Sequence, residues 1–536
     1  PPGVDSARYR AIAEGLRALP EAPSLSRLFQ VDLYKPCAEA TVGRGVIREL
    51  SAAIAALRRM TPRREPPELK ALREAFEARY EGREVPLLEA LDDERGALGA
   101  ADIALSSSLL DRVRFDVSEQ ETSAPDPRAA WRAARLGAML REGRDVWALT
   151  DEDVTALSVD APTPLPDAFA ALCGLRARSS EAVDRGDFEA WLQGVSGPSG
   201  ARLLGRFCHG DDALAAEVRA HLAAEEALRP DACFAEVVHL PEGRLGNIVC
   251  RPLLRGWEIP FLGRSGAPQA RQIAVDDLRV SVRDRRFVLR SARLDREVVP
   301  RLSSAHNFAL ADFRLYRFLC LLQAPDAMPA WRWGALEAMP FLPRVSLGRV
   351  VVSPARWRLD AAEIKALCAP TAAARFEAAH ALRASRRLPR WVAVADGDNV
   401  LAFDLDVPLF VEALCAEARG RDDLTLFEAP QQPGAGPVRG DEGDYTAELV
   451  VPFVSTRAPS GVSPRPVTSP PRTAPRSFAP GSEWLYAKLY CGPVTADRVL
   501  TEVVAPLVAD ARAAGDAEAW FFIRYADPAP HLRVRL

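Results

Sequence analysis

The chain has 536 residues, 48% hydrophobic and 26% charged, with 69 Lys and Arg against 73 Asp and Glu for a formal net charge of −4. That is ordinary for a soluble globular protein with room for three or four compact units at about 150 residues each, and it offers no global attraction for nucleic acid, so an RNA partner would need a local basic patch. No run approaches the roughly 18 to 20 apolar residues that span a bilayer, so membrane insertion is not expected. Nine cysteines, scattered singly from Cys37 to Cys491 without a CxxC pair, point to reduced thiols in the cytoplasm and away from a disulfide framework or a structural zinc site.

Residue 1 is Pro and nothing resembling a signal peptide precedes Ala11–Leu19, so the chain reads as an internal fragment. Val46, Ile47, Leu50, Ile54 and Leu57 recur at helical spacing between Gly45 and Met60, and a second helix, Pro67–Tyr80, follows a Pro62–Pro67 break. The alanine-rich stretches Ala129–Leu140, Ala161–Cys173 and Ala213–Leu228 predict helices, whereas Phe234–Leu240, Asn247–Pro252 and Arg286–Arg290 predict short strands. Farther on, Val345–Val352 predicts a strand and Ala361–Leu382 a helix. Trp391–Phe403 predicts a hairpin turning at Gly397–Asn399, where residue types tolerant of positive φ sit between two apolar runs. Tyr445–Val454 predicts a further strand.

From Ala458 to Pro480, seven prolines are set among Ser, Thr and Arg, a composition that cannot pack a core and predicts an extended spacer. Beyond it, Trp484–Tyr490 reads as a strand, Thr495–Ala514 as a helix and Trp520–Tyr525 as a strand leading into His531–Leu536. The fold class is therefore α+β: a multidomain chain of helices and small, mostly antiparallel sheets, with domains at 1–457 and 481–536 joined by the linker 458–480.

In HLRVRL at the end of the chain, polar and apolar residues alternate, which puts His531, Arg533 and Arg535 on one strand face. Two guanidinium forks roughly 6.6 to 6.8 Å apart can grip neighbouring anionic groups, and the same pattern also fits an edge strand blunted by arginine. Asp32 is a lone carboxylate in the apolar frame LFQVDLY, either a working group or the outward residue of an amphipathic strand. His209, His221, His239, His306 and His380 lack metal-ligand spacing and read as structural, and Asp276-Asp277 and Asp92-Asp93 read as loop or cap residues. Basic clusters at Arg58, Arg59, Arg63 and Arg64, at Arg283, Arg285 and Arg286, and at Arg383, Arg386, Arg387 and Arg390 are candidate RNA patches or solvated faces. GxGxxG, Walker, GxSxG and HExxH motifs are absent.

Several long strings carry a family likeness: FEARYEGREVPLLEALDDERGALG at Phe76–Gly99, FAEVVHLPEGRLGNIVCRPLLRGWEIPFLG at Phe234–Gly263, VVPRLSSAHNFAL at Val298–Leu310, LPRVSLGRVVVSPARWRLD at Leu342–Asp360 and LPRWVAVADGDN at Leu388–Asn399. In order, they resemble the amino-terminal region of the lantibiotic dehydratases of the LanB type, and Trp484–Leu536 resembles the opening of that family's thiopeptide-type, eliminating domain. The resemblance implies dehydration of Ser and Thr in a ribosomally made precursor peptide. Glutamate passes from glutamyl-tRNA, a cosubstrate, to the side-chain hydroxyl and is then eliminated, with no resident cofactor. It places elimination arginines on Arg533 and Arg535, an anion-binding role on His531 and the glutamylation carboxylate on Asp32. It leaves open a homodimer or a complex with a cyclase and transporter, and, as other readings of the chain, a peptide aminoacyl-tRNA ligase or a non-catalytic scaffold for precursor or tRNA. The family's RxTPFG-like motif is not present, since RRMTPRR at Arg58–Arg64 lacks the Phe-Gly. Later elimination residues are expected past Leu536, and the precursor-binding winged helix ahead of Pro1.

Overall fold

The computed structural model describes residues 5–20, 23–25, 28–34, 41–92, 96–100, 127–241, 245–308, 313–323, 326–397, 399–430, 432, 434, 436–440, 443–445, 448–456, 483–526 and 529–536. They form two units, Pro1–Ser460 and Gly461–Leu536. The linker 458–480 lies outside the described residues, as do Cys37 and Asp93.

The first unit is built on three sheets. One has the strand order Val85–Pro86, Leu278–Arg283, Arg286–Ser291, Arg296–Arg301, Ala232–Val238, Trp257–Pro260. Ala232–Val238 runs parallel to both neighbours while the other pairs are antiparallel. Helix Pro67–Tyr80, opened by a proline whose missing N–H costs nothing in the first turn, packs Leu72, Phe76 and Tyr80 onto this sheet against Val280 and Phe287. A second sheet is ordered Glu448–Val454, Ala168–Arg176, Glu189–Ser196, Val350–Ser353, Arg344–Leu347, Val146–Ala148. Helix Arg44–Met60 seals it with the Val46, Leu50 and Ala53 stripe against Cys173, Ala190 and Val350. The third sheet, Phe341–Leu342, Arg356–Asp360, Asp423–Glu428, Trp391–Asp396, Asn399–Asp404, is covered by helices Ala361–Leu367, Ala372–Arg386 and Pro408–Ala418. The α+β class with small, mostly antiparallel sheets holds.

Four expectations change. Ala161–Cys173 holds a central strand, Ala168–Arg176, paired on both sides. Pro162, Pro164 and Pro166 interrupt any helix ahead of it, and burial on both faces overrides alanine's helical preference. Asn247–Pro252 contains a helical turn, Gly246–Val249, because the place beside Ala232–Val238 is taken by Trp257–Pro260 in parallel, which turns the intervening chain into a crossover. Val345–Val352 divides into a hairpin at Gly348, whose φ of 56° suits glycine. The long helix from Ala361 breaks before Pro370 into two.

In the second unit Tyr486–Tyr490, His531–Arg535 and Phe521–Tyr525 form an antiparallel sheet with the last strand in the middle, so the arginine strand is central and not an edge. Ala496, Val504 and Val508, from one long helical run, Pro493–Ala514, with a π turn at Leu500–Val504, cover Leu532 and Val534 from one face.

Candidate active sites

Residues 28–34 run without joining a sheet. Val31 and Leu33 are 81% and 79% exposed, whereas the Asp32 side chain between them retains 23% exposure. Apolar residues left in water while a carboxylate turns inward reverse the usual burial preference, and charge is the cause. Arg206 pairs with Asp32 through Nη2, and Gln30 Nε2 donates to the same oxygen at 3.3 Å. The Arg206 hydrogen bond holds the Asp32 carboxyl below its ordinary range, assisted by Gln30 and the nearby His209. Asp32 is therefore an ionised acceptor at neutral pH and a weak base. His209 Nε2 lies 3.4 Å from the Cys250 thiol, and Asn247 donates to Gln30 at 3.3 Å, which closes the polar rim.

Arg206 belongs to the 3₁₀ turn Gly205–His209, and its guanidinium lies over Phe207. Gly205 fixes that turn: its N–H donates to the Ser303 carbonyl at 3.1 Å, and any Cβ there would be driven into the same oxygen. Ser303 is itself anchored, since its N–H and Oγ donate to buried Glu236 at 2.6 and 2.5 Å. Glu236 accepts from Arg251 at 3.0 Å, Arg251 also reaches Glu258 at 3.1 Å, and Arg255 and Arg301 grip Glu225 at 2.6 and 3.0 Å. A buried lattice of paired charges thus sets the position of the turn, and rigid support of this kind keeps a site in register.

One turn before Arg206, Arg202 lies over Phe308 and has no carboxylate partner among the described residues. Burial lowers its proton affinity, and the same burial raises the Tyr316 phenol and the Cys320 thiol beside it well above their usual ranges. The Tyr316 hydroxyl is 2.7 Å from His306 Nδ1.

In the second unit, the cross-strand register stacks His531 between Tyr490 and Tyr525, Arg533 between Lys488 and Ile523, and Arg535 between Tyr486 and Phe521 on the face opposite the helices. Arg533 lies 3.6 Å from the Tyr525 ring centroid, and Arg535 lies over Tyr486 and Phe521 at 4.9 and 5.4 Å. Neither arginine pairs with a carboxylate among the described residues, whereas Arg524, in the adjacent strand Phe521–Tyr525, pairs with Asp497. His531 is 3% exposed, with Nδ1 at 2.7 Å from the Ala529 carbonyl and Nε2 accepting from Arg533 Nε at 3.0 Å.

Of the sequence candidates, Asp32 therefore sits with Arg206 in the first unit, and His531, Arg533 and Arg535 share one face in the second. Sequence reading passed over Arg202 and Arg206 and took His209 as structural. The available signal was two arginines four residues apart around a glycine, ahead of Cys-His. Asp277 caps a turn, accepting from Ser291 and from the Arg293 N–H. Each basic cluster is partly neutralised: Arg63 by Asp326, Arg286 by Glu297, Arg383 by Asp406, Arg386 by Glu363 and Arg390 by Asp404. A separate cavity of about 240 Å³ is lined by Arg229 and Arg286, both already paired with Glu297.

The family model "Lantibiotic dehydratase, N terminus" matches residues 1–414, and "Lantibiotic biosynthesis dehydratase C-term" matches 484–536. The nisin biosynthesis protein NisB of Lactococcus lactis subsp. lactis is 24% identical over 310 residues, 56% of this chain and 29% of NisB. The subtilin biosynthesis protein SpaB of Bacillus subtilis is 20% identical over 368 residues, 64% of this chain and 34% of SpaB. Among solved structures, the tRNA-dependent lantibiotic dehydratase MibB from Microbispora sp. 107891 superposes with a TM-score of 0.67 at 30% identity, over 92% of this chain and 47% of MibB. The glutamylation domain TbtB from thiomuracin biosynthesis, bound to 5'-phosphodesmethylglutamycin, shares the fold with a TM-score of 0.51 at 19% identity, over 76% of this chain and 50% of that chain. The chain thus spans about a third of the curated relatives and about half of MibB. With its first 414 residues matched by the amino-terminal model and its last 53 by the carboxy-terminal one, the chain belongs to the lantibiotic dehydratase family.

Proposed function

We propose that the protein dehydrates Ser and Thr of a ribosomally made precursor peptide in two steps, with glutamyl-tRNA as cosubstrate and without a resident cofactor. In the first, the substrate hydroxyl attacks the ester carbonyl of glutamyl-tRNA, a new glutamyl ester forms, and the hydroxyl of the tRNA terminus departs. Asp32 is suited to orient a donor of the incoming groups rather than to remove a proton, because Arg206 keeps it ionised and weakly basic. Arg202 supplies a preformed cation for glutamate or phosphate oxygens.

In the second step the Cα proton leaves, the Cα=Cβ bond forms and glutamate departs as an anion. Arg533 and Arg535, free of carboxylate partners among the described residues, are placed to receive its charge; lysine's point charge would replace a planar fork poorly. Residence in the cytoplasm belongs to the same proposal, as does assembly as a homodimer or with a cyclase and transporter. It agrees with free thiols at every described cysteine, and among the described residues no helix is long and apolar enough to cross a membrane.

The observation that carries the reading is the inward turn of Asp32 onto Arg206 between two exposed apolar residues, a conformation the fold has no packing reason to adopt. Full-length protein carrying Asp32→Asn should lose precursor glutamylation by about a hundredfold or more while still eliminating glutamate from pre-glutamylated peptide, both followed by mass spectrometry. Unchanged glutamylation would return Asp32 to an ordinary surface residue.

A further inference from the structure

The arginine strand holds one group whose chemistry the proposed elimination has not used. His531 is buried, and both of its ring nitrogens are committed. Nδ1 faces the Ala529 carbonyl at 2.7 Å, an oxygen that can only accept, so Nδ1 carries the proton. Nε2 faces Arg533 Nε at 3.0 Å, an N–H that can only donate, so Nε2 must present its lone pair. The two contacts together specify one species: neutral imidazole with its proton on Nδ1.

That species constrains Arg533 from a direction no other neighbour does. The Tyr525 ring, 3.6 Å from the guanidinium carbon, fixes the plane of the fork. His531 fixes rotation within that plane by holding Nε, and leaves both terminal nitrogens to donate to a ligand. Tyr490 and Tyr525 flank the imidazole with ring centroids 4.9 and 5.7 Å away, which closes it to solvent from both neighbouring strands. We propose that His531 is a positioning residue for elimination: it orients the Arg533 fork toward the departing glutamate and does so only while neutral.

Protonation at Nε2 would remove the acceptor and set two donors against each other beside a fixed cation. The groups facing His531 are the Tyr490 ring from the first strand, the Tyr525 ring from the third and Arg533 on its own strand. Among the described residues no carboxylate contacts the imidazole to favour its charged form. Loss of the Nε2 acceptor should therefore slow elimination. This inference rests on the assignment of Arg533 and Arg535 to the elimination step.

The test uses full-length protein and purified glutamylated precursor peptide, with single-turnover release of glutamate measured at neutral pH. His531→Leu removes the acceptor at similar volume; His531→Gln keeps an oxygen that can accept from Arg533 Nε. Leu should slow elimination roughly a hundredfold, the scale of a misplaced catalytic group, with glutamylation unchanged. Gln should recover most of the rate. In an Arg533→Ala background, His531→Leu should add nothing, since the group it positions is gone. A Gln variant as slow as Leu overturns the positioning role, as does a full additional loss in the Arg533→Ala background. If Arg533→Ala itself eliminates at the normal rate, it is the assignment of the arginine strand that fails, a result separable from failure of His531 alone.

Discussion

Among the described residues Arg202 has no counter-ion, and that gives stability and activity opposite interests. A partly buried cation bears a desolvation cost unless something offsets it, and the face of Phe308 offsets it in part. Arg202→Met, similar in reach and apolar, should therefore raise stability by on the order of 1 kcal/mol while glutamylation is lost. Denaturant titration beside a glutamylation assay reads both. A variant that loses stability together with activity would make Arg202 a structural residue. The same logic explains what could be seen in advance at this site. Asp32 was legible because a carboxylate framed by Val31 and Leu33 is locally anomalous. Arg206, its partner from 174 residues away, was not, since the spacing of two arginines around a glycine ahead of Cys-His does not say which distant carboxylate it meets.

Between elements, the first unit is tied by carboxylates whose proton affinity arginine depresses. Glu84, just ahead of the strand Val85–Pro86, is held by Arg290 from the strand Arg286–Ser291; Glu65 binds Arg73 of the helix Pro67–Tyr80; and Glu363 joins the helix Ala361–Leu367 to Arg386 of the next. His221 and His306 are also shifted down, by burial. All five groups have folded values below their unfolded ones, so each contributes stability that is present above the unfolded value and lost as pH falls through the folded one. Acid should act in two stages: the histidines as pH drops below about 6.5, the carboxylates below about 4.3. Denaturation midpoints across pH 7 to 3 should show both steps; His221→Gln should flatten the first, and Glu84→Gln should lower stability at neutral pH and shorten the second. A single step, or steps untouched by these variants, would contradict the assignment. Elements whose signals are local were readable, as with the helix Pro67–Tyr80 and the hairpin Trp391–Asp404. The strand Ala168–Arg176 was not, because its alanines carry a helical preference and only its two neighbouring strands, one of them more than 270 residues later in sequence, decide otherwise.

Among the described residues, each of the two units has hydrophobic clusters of its own. The sheet of the second unit closes its own cluster of Ala496, Val504, Val508, Leu532 and Val534, while the clusters on the three sheets of the first draw only on residues of that unit. The arginine face depends on the second cluster, because burial of Leu532 and Val534 under the helices is what turns Arg533 and Arg535 to the other side. Composition points to a boundary: seven prolines among Ser, Thr and Arg between Ala458 and Pro480 offer little apolar area to bury. We therefore propose that this segment links two separately folding parts. Trypsin provides the test, since Arg472-Thr473 and Arg476-Ser477 are cleavable bonds whereas Arg465-Pro466 resists. Brief digestion of the full-length protein should cut first at Arg472 and Arg476 and leave two pieces that resist further cleavage, each retaining a cooperative unfolding transition. If the first cuts fall elsewhere, or if cleavage here makes both pieces unfold together, the arginine strand is held by more than its own core and the two halves of the proposed reaction would have to be treated as one folding unit.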